Sequence, residues 1–166
     1  YGVYAYIENS TFENNVFREM NRYYESSGMG LHIHDDYGSF HGFINNCSFI
    51  SNKGMIAVAD CIDNSRFIDN HALGNASAIN SFGENTTGGH GGAIMWTGAN
   101  GTVENSTFDR NDAKVNGGAM FLQGSSEYGN CENIAITDSK FTNNFAGVNG
   151  GAIDWYRGAL NVTVAN

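Results

Sequence analysis

The sequence predicts an all-β fold, a right-handed parallel β-helix of about five to six coils with loop insertions. Two repeated patterns support this prediction. A nine-residue pattern of aliphatic, any, Asn, small, any, Phe, any, any, Asn recurs five times, and a Gly-Gly-Ala-aliphatic segment follows three of the copies. The chain contains 22 Gly and no Pro, and Gly and Asn interrupt the runs that would otherwise favour helix.

The nine-residue pattern describes two short strands joined by a bend. It occupies residues 7–15, 44–52, 62–70, 103–111 and 136–144. The small residue and the Phe are two positions apart, so they share one face of a strand. The aliphatic residue five positions before the Phe has the opposite parity, so both face inward only if the chain bends between them. Asn tolerates left-handed backbone and suits that bend.

Parallel stacking of the copies predicts ladders of identical residues along one axis. The predicted ladder of rings consists of Phe12, Phe49, Phe67, Phe108 and Phe141. The predicted ladder of bend amides consists of Asn9, Asn46, Asn64 and Asn105, and these amides are expected to point inward. A single coil cannot bury its own face, so several stacked coils are required.

The Gly-Gly-Ala segments mark a sharp corner at the start of a further strand. They occupy residues 91–94, 117–120 and 150–153. The spacing of 18 residues from Phe49 to Phe67 fits a bare coil, and the longer spacings require insertions, predicted at 18–30, 73–90 and 125–132. Each 33-residue unit is interpreted as one coil with an outer loop, and two small coils per unit remain an alternative. Residues 1–166 are expected to form one β-helix segment of a larger protein.

Charge and cysteine content narrow the classes of partner. The chain has 8 Lys and Arg against 17 Asp and Glu, which disfavours nucleic acid and anionic lipid and is compatible with bound calcium. No run of about 18 apolar residues occurs, so no membrane span is expected in this segment. Cys47, Cys61 and Cys131 lack metal-ligand spacing and are interpreted as small buried thiols, although Cys47 and Cys61 can pair if they lie on adjacent coils.

The repeats resemble those of known surface proteins. The paired Gly-Gly-Ala-aliphatic and Phe-x-x-Asn motifs are similar to the repeats of the chlamydial polymorphic membrane proteins. The Asn-rich and Gly-rich style of residues 9–15 and 149–153 looks like the adhesin-like surface proteins of methanogenic archaea. The resemblance implies a secreted, surface-anchored β-helix used in adhesion or cell-envelope architecture, with the anchor outside this segment.

Two groups of residues are candidates for ligand binding. His32 and His34 share a strand face with Asp35 close by, which is a pattern suited to a metal ion; the alternative is a polar exposed strand and loop edge. Trp96, Trp155 and Tyr156 follow the Gly-Gly corners and are predicted to form a surface stripe that binds a glycan or a partner; the alternative is packing at a coil corner.

Asparagine sequons are frequent, and those expected in loops are the best candidates for glycosylation. These are Asn75, Asn85 and Asn100.

The sequence therefore predicts an adhesin-like or structural β-helix located outside the cell, on the cell surface or secreted. Its expected partners are surface glycans or other cell-surface proteins, with assembly against neighbouring chains as a further expectation. The alternative function is a polysaccharide-active β-helix enzyme, a lyase or hydrolase, that uses clustered flank carboxylates. No catalytic residue is assigned, and calcium is the one cofactor considered.

Overall fold

The computed structural model describes residues 3–16, 40–53, 56–57, 61–72, 78–79, 85–86, 89–96, 100–123, 131–156 and 159–166. Short strands account for nearly all regular structure in these ranges. In chain order the strands are β1 (Val3–Glu8), β2 (Thr11–Glu13), β3 (Phe40–Asn45), β4 (Ser48–Ile50), β5 (Ile56–Ala57), β6 (Cys61–Asp63), β7 (Arg66–Ile68), β8 (His71–Ala72), β9 (Ala78–Ile79), β10 (Asn85–Thr86), β11 (Ile94–Trp96), β12 (Thr102–Glu104), β13 (Thr107–Asp109), β14 (Asp112–Ala113), β15 (Met120–Gln123), β16 (Cys131–Glu132), β17 (Ala135–Thr137), β18 (Lys140–Thr142), β19 (Phe145–Ala146), β20 (Ile153–Tyr156), β21 (Ala159–Leu160) and β22 (Thr163–Ala165).

Sheet A shows how the coils stack. It consists of β1, β3, β6, β12, β17 and β22, all parallel and in chain order, so each coil adds one strand to the next. The register aligns one inward aliphatic column, Ile7, Ile44, Ile62, Val103, Ile136 and Val164. Six successive parallel strands in register confirm the predicted parallel β-helix.

Sheet B carries the predicted ladder of rings. It consists of β2, β4, β7, β13 and β18. The five predicted phenylalanines stack in one column, with ring centroids 4.6 to 4.9 Å apart and planes within 4°. Phe49, Phe67 and Phe108 are fully buried at its centre. The interior Phe ladder is therefore confirmed.

The bend between sheets A and B is confirmed, but the direction of its amides was predicted wrongly. The residue at this corner has φ between 46° and 52° in every copy: Asn9, Asn46, Asn64, Asn105 and Asp138. At such a left-handed corner the side chain projects away from the axis, and Asn9, Asn46, Asn64 and Asn105 are all exposed. The next residue points inward instead, as Cys47, Ser65 and Ser106 do.

The buried amide ladder lies three residues after each Phe. A second left-handed corner, with φ between 53° and 57°, joins sheet B to sheet C, and again the next residue points inward. That residue is Asn15, Asn52, Asn70, Asn111 or Asn144. Asn111 shows the pattern: its Nδ2 donates to the Phe67 carbonyl (2.9 Å) and to Asn144 Oδ1 (3.0 Å), while its own Oδ1 accepts from Asn70 Nδ2 (2.9 Å).

Sheets C and D complete the three coils that carry the Gly-Gly corner. Sheet C consists of β8, β14 and β19, and sheet D of β5, β11, β15 and β20. Gly117 has φ +66°, and a Cβ on Gly118 would overlap the carbonyl oxygen of Gly151 on the next coil. The corner therefore needs the first Gly for its backbone conformation and the second for close coil-to-coil approach.

Each 33-residue unit is one coil, because Val103 pairs with Ile136 in adjacent strands. Of the predicted insertions, 18–30 lies outside the described residues. The 73–90 segment contributes β9 and β10, an antiparallel pair. The 125–132 segment ends in β16, which pairs with β21 in parallel, so its last two residues belong to the coil. Within the described ranges, no helix is long and apolar enough to cross a membrane.

The three cysteines are free thiols, so the possible pairing of Cys47 with Cys61 is not formed. Cys47 points into the coil, where its Sγ lies 3.2 Å from the Asn45 carbonyl oxygen. Cys61 lies opposite Phe43 and alternates with buried Ile62, so it faces outward. Cys47 and Cys131 are buried, as the interpretation as buried thiols expects, and Cys61 is half-buried.

Candidate functional site

The predicted metal ligands cannot be placed. His32, His34 and Asp35 lie outside the described residues, as does the sequon at Asn75. In the part of the chain that the structure describes, no three His, Cys, Asp or Glu side chains are grouped so as to hold a metal ion. Of the other sequons, Asn85 lies in β10, and Asn100 is exposed at a left-handed position with φ 61°.

The burial of Trp96 contradicts the prediction of a surface aromatic stripe. Trp96, Leu122 and Trp155 form one register column of sheet D. Alternation along β11 turns Trp96 inward, where it is fully buried and packs against Gly101. Trp155 continues this inward column in the last strand of sheet D and is 50% exposed. These two tryptophans pack in the column, and Trp96 is not available to a ligand.

The outward face of sheet D brings together a different set of side chains, which we call the sheet D site: His90, Phe121, Asp154 and Tyr156. Phe121 pairs with Asp154 across neighbouring strands, and Tyr156 follows two positions later on the same face. The rings of His90 and Phe121 stack with centroids 4.4 Å apart, and the Phe121 and Tyr156 centroids are 6.2 Å apart. Phe121 is 2% exposed and forms the floor, whereas Tyr156 is 44% exposed.

Partial burial changes the protonation of the two titratable groups in this site. Removal from water lowers the pKa of the His90 imidazole and raises the pKa of the Asp154 carboxyl, because burial penalises the charged form of each group. Both groups are thereby biased toward their neutral forms. A protonated carboxyl offers both a donor and an acceptor to a polar ligand.

A family model described as a right-handed beta helix region matches residues 1–166. The chain belongs to the right-handed β-helix family. Neither the curated proteins nor the solved structures that were compared gave a significant match.

Within this right-handed β-helix, His90 is the site residue that the sequence analysis missed. It precedes the first Gly-Gly corner, where the two later copies have Asn116 and Asn149. Those asparagines continue a ladder, since Asn149 Nδ2 donates to Asn116 Oδ1 at 3.3 Å. The replacement of Asn by His at one copy of a repeat was the available signal, because departures from a regular pattern often mark function.

A second polar group lies on the outward side of sheet C. The side chain of His71 lies between Asp69 and Asp112: its Nε2 is 3.7 Å from Asp69 Oδ1, and its Nδ1 contacts Asp112 Oδ1. Asp69 also accepts a hydrogen bond from Ser51 (3.2 Å). These contacts link successive coils of the β-helix to one another. This group therefore stabilises the stacking of the coils on the outer side of sheet C.

The sheet D site has the chemistry of sugar recognition. An exposed aromatic ring packs against the apolar face of a pyranose, and neighbouring polar groups hydrogen-bond its hydroxyls. Phe121, Asp154 and Tyr156 lie on the regular strands β15 and β20, which hold their side chains in fixed relative positions. The arrangement therefore supports binding of a polar ligand that also has an apolar face.

Proposed function

We propose that this β-helix is a segment of an adhesin-like, extracellular cell-surface protein, and that it binds glycans through the sheet D site. The observation that carries the proposal is the exposed ring of Tyr156 on the same outward face as Asp154 and His90. The resemblance of the repeats to methanogen adhesin-like and chlamydial surface proteins supports the surface location. The formal charge of −9 is consistent with a protein that stays soluble among anionic envelope polymers.

Tyr156 is the residue expected to contribute most to binding. Its ring is 44% exposed, while the Phe121 ring beneath is almost completely covered, so a ligand meets Tyr156 first. Rigid aromatic anchors dominate binding energies because they bury large areas at small entropic cost. Asp154 then supplies a polar contact that orients the ligand, and the His90 ring stacks on Phe121 beside it.

A second candidate function, a polysaccharide-active enzyme, is favoured by one observation. Burial raises the pKa of Asp154, which keeps a larger fraction of this carboxyl protonated at mildly acidic pH. A carboxyl of this kind can protonate the leaving oxygen of a glycosidic bond. In this alternative Asp154 is the proton donor, and Tyr156 positions the sugar.

A glycan array probed with the chain tests the main proposal, with Tyr156→Ala compared against Phe145→Ala. Phe145 is the matched control, because it is a 65% exposed aromatic ring on sheet C. We expect Tyr156→Ala to weaken retained glycans about tenfold, and Phe145→Ala to leave them unchanged. Equal retention by both variants, or binding of no glycan by the unaltered chain, contradicts the proposal.

Release of reducing ends from the retained polysaccharides separates binding from catalysis. If the chain is only a binding segment, no release occurs with the unaltered chain. Release that disappears in Asp154→Asn, while retention on the array persists, establishes the enzymatic alternative.

A further inference from the structure

Five Asn-x-Ser/Thr sequons lie on left-handed corners of the β-helix. Their asparagines each have φ between 46° and 61° and an exposed side chain. Three lie at the corner between sheets A and B, and two lie two residues before strands β12 and β22: Asn9, Asn46 and Asn105, and Asn100 and Asn161. The sequence alone predicts inward, protected amides at the first of these corners, so their exposure is what the structure adds to the motif.

The corner also exposes the hydroxyl residue that completes each sequon. Asn105 shows the pattern: its side chain is exposed, Ser106 turns inward and is buried, and Thr107 is half-buried on the outer side of β13. This alternation follows because successive side chains of a strand point to opposite faces. The hydroxyl residues of the other four sequons are likewise exposed or half-buried: Thr11, Ser48, Thr102 and Thr163. The acceptor amide and the hydroxyl therefore lie on one outer surface of the folded chain.

Each acceptor amide retains a hydrogen for attachment of a sugar. An Asn Nδ2 has two hydrogens, and hydrogen bonds between coils use one of them: Asn105 Nδ2 donates to Asp63 Oδ1 (3.2 Å), and Asn161 Nδ2 donates to Asn133 Oδ1 (3.1 Å). In the transfer, the bond between Nδ2 and the sugar C1 forms, and the bond between C1 and the phosphate oxygen of a lipid-linked diphosphate donor breaks. The lipid diphosphate leaves and Nδ2 releases one proton. The remaining N–H still donates to the neighbouring coil.

The sequon corners are mostly two coils apart. Asn64 and Asn133 occupy equivalent corners between them, but neither is followed by Ser or Thr at the second position. Neighbouring strands are about 4.7 to 4.9 Å apart, so sequons separated by one such corner are about 9 to 10 Å apart along the axis. Asn9 and Asn46 are instead on neighbouring coils, where Asn46 Nδ2 donates to Asn9 Oδ1 (2.7 Å). Branched glycans on both would crowd each other.

We propose that these five corner asparagines are N-glycosylation sites, with Asn9 and Asn46 competing for one glycan. Bulky, hydrophilic sugars attached here stand outward beside strands of sheet A. The inference rests on the extracellular location in the proposed function, because sequons are used in secreted proteins. It goes beyond that function, since it concerns sugars attached to the chain rather than a glycan bound as a ligand.

Secretion of the full chain from a eukaryotic host that N-glycosylates exported proteins tests the proposal. The secreted chain is treated with peptide-N-glycosidase in heavy-oxygen water, which converts each glycosylated Asn to labelled Asp, and peptide mass spectrometry reads each position. We expect label at all five corners. Label confined to Asn75 or Asn85, or absent from a folded chain, overturns the inference. So does a chain that is secreted and folded only after Ala replaces the five hydroxyl residues.

Competition between the two neighbouring sequons has its own test. Thr11→Ala removes the sequon at Asn9 without altering the corner residue, and Thr11 is exposed, so the fold should be unaffected. We expect the occupancy of Asn46 to rise to that of Asn105. Unchanged and incomplete occupancy of Asn46 would overturn the competition, because it would show that the two coils accept glycans independently.

Two engineered sequons compare an exposed corner with the buried amide ladder. Arg66→Thr completes a sequon at exposed Asn64, and Ala146→Ser completes one at Asn144, whose Nδ2 donates to the Phe108 carbonyl (3.0 Å). We expect the secreted chain to carry a glycan at Asn64 and none at Asn144. Equal labelling of both positions, with unchanged circular dichroism and melting temperature, would mean that the corner geometry does not select the sites.

Glycan binding and glycan attachment fail separately. The array experiment is run on chain made in a host without N-glycosylation, so its outcome is independent of the corners. Array binding without corner label overturns this inference and leaves the proposed function standing. Corner label without array binding leaves the inference standing and overturns the glycan-binding function.

Discussion

Single residues at the two left-handed corners decide which amides are buried in this protein. At both corners the residue with positive φ faces solvent, and the residue after it faces the core. Asn at the first corner is therefore exposed, while Asn one position after the second corner is buried. The buried row satisfies backbone groups that the strands leave unpaired at the turn, as Asn70 Nδ2 does for the Phe49 carbonyl (3.0 Å).

Replacement of one amide of the buried ladder is expected to be costly. Asn111→Ala removes the donor to the Phe67 carbonyl, the acceptor of the Asn70 backbone N–H and one of the two acceptors of Asn70 Nδ2, so the free energy of unfolding should fall by about 3 kcal/mol or more. Urea denaturation measures this change. Lys114→Ala, three residues away and exposed, is the control and should change stability by less than about 0.5 kcal/mol. Equal effects would contradict a structural role for the ladder.

The Cys131 thiol is expected to resist alkylation in the folded chain. Burial raises its pKa from 9.0 to about 11, so at pH 8 very little thiolate is present. Iodoacetamide labelling followed by peptide mass spectrometry should modify half-buried Cys61 first and Cys131 only after unfolding. Unfolded Cys131 ionises at lower pH than folded Cys131. The stability that the protonated thiol contributes to the folded chain is therefore complete below about pH 9, and the free energy of unfolding falls as the pH rises to about 11. Rapid labelling of folded Cys131 at pH 8 would refute this.

At the scale of elements, each strand is too short to be stable alone. Most of the described strands contain two to four residues, and their stability comes from the identical strand of the next coil. The Gly-Gly corner sets how closely these coils approach, because the second Gly lies against the carbonyl oxygens of its neighbour. The corner is thus as important for stacking as the buried ladders.

Gly118→Ala and Gly151→Ala form a matched pair at this corner. A Cβ at Gly118 would overlap carbonyl oxygens of Gly151 and Phe145, whereas a Cβ at Gly151 has the Asn144 oxygen 3.7 Å away as its nearest contact. We expect Gly118→Ala to destabilise the chain by about 2 to 3 kcal/mol or more and Gly151→Ala by much less. Thermal melting followed by circular dichroism measures both. Similar melting temperatures would show that the coils can separate at the corner without cost.

At the scale of the whole molecule, the β-helix is close to a one-dimensional array. Each coil contacts only its neighbours, so energetic coupling should reach one coil and then decline. The phenylalanine column provides a direct measure, because its five rings have nearly the same separation and orientation.

Double-mutant cycles along the Phe column should show this short range. Phe67→Leu and Phe108→Leu, with rings 4.7 Å apart, are expected to couple by about 0.5 to 1.5 kcal/mol. Phe49→Leu and Phe141→Leu lie three coils apart and should be additive within about 0.5 kcal/mol. Equilibrium unfolding of the single and double variants gives both values. Equal coupling for the two pairs would mean that the coils unfold as one rigid unit with long-range strain.

The sequence by itself determined the β-helix, the interior Phe column, the left-handed corner between sheets A and B and the Gly-Gly corner. These features follow from which residue types recur at which spacing, and stacking turns equal spacing into contact. The orientation of each side chain relative to the axis also depends on how far each corner turns the chain. That is why the sequence placed the bend amides inward and Trp96 outward, both of which the structure reverses.

Only the tertiary structure decided which side chains from different coils share a surface. His90 and Tyr156 are 66 positions apart in the chain, and Tyr6 and Thr163 lie at opposite ends of it, yet the register places each pair on one face. Loop lengths between coils vary, so sequence distance does not reveal these neighbours. The ladders inside the coil were readable because every copy repeats them, whereas a binding surface consists of the positions where the copies differ.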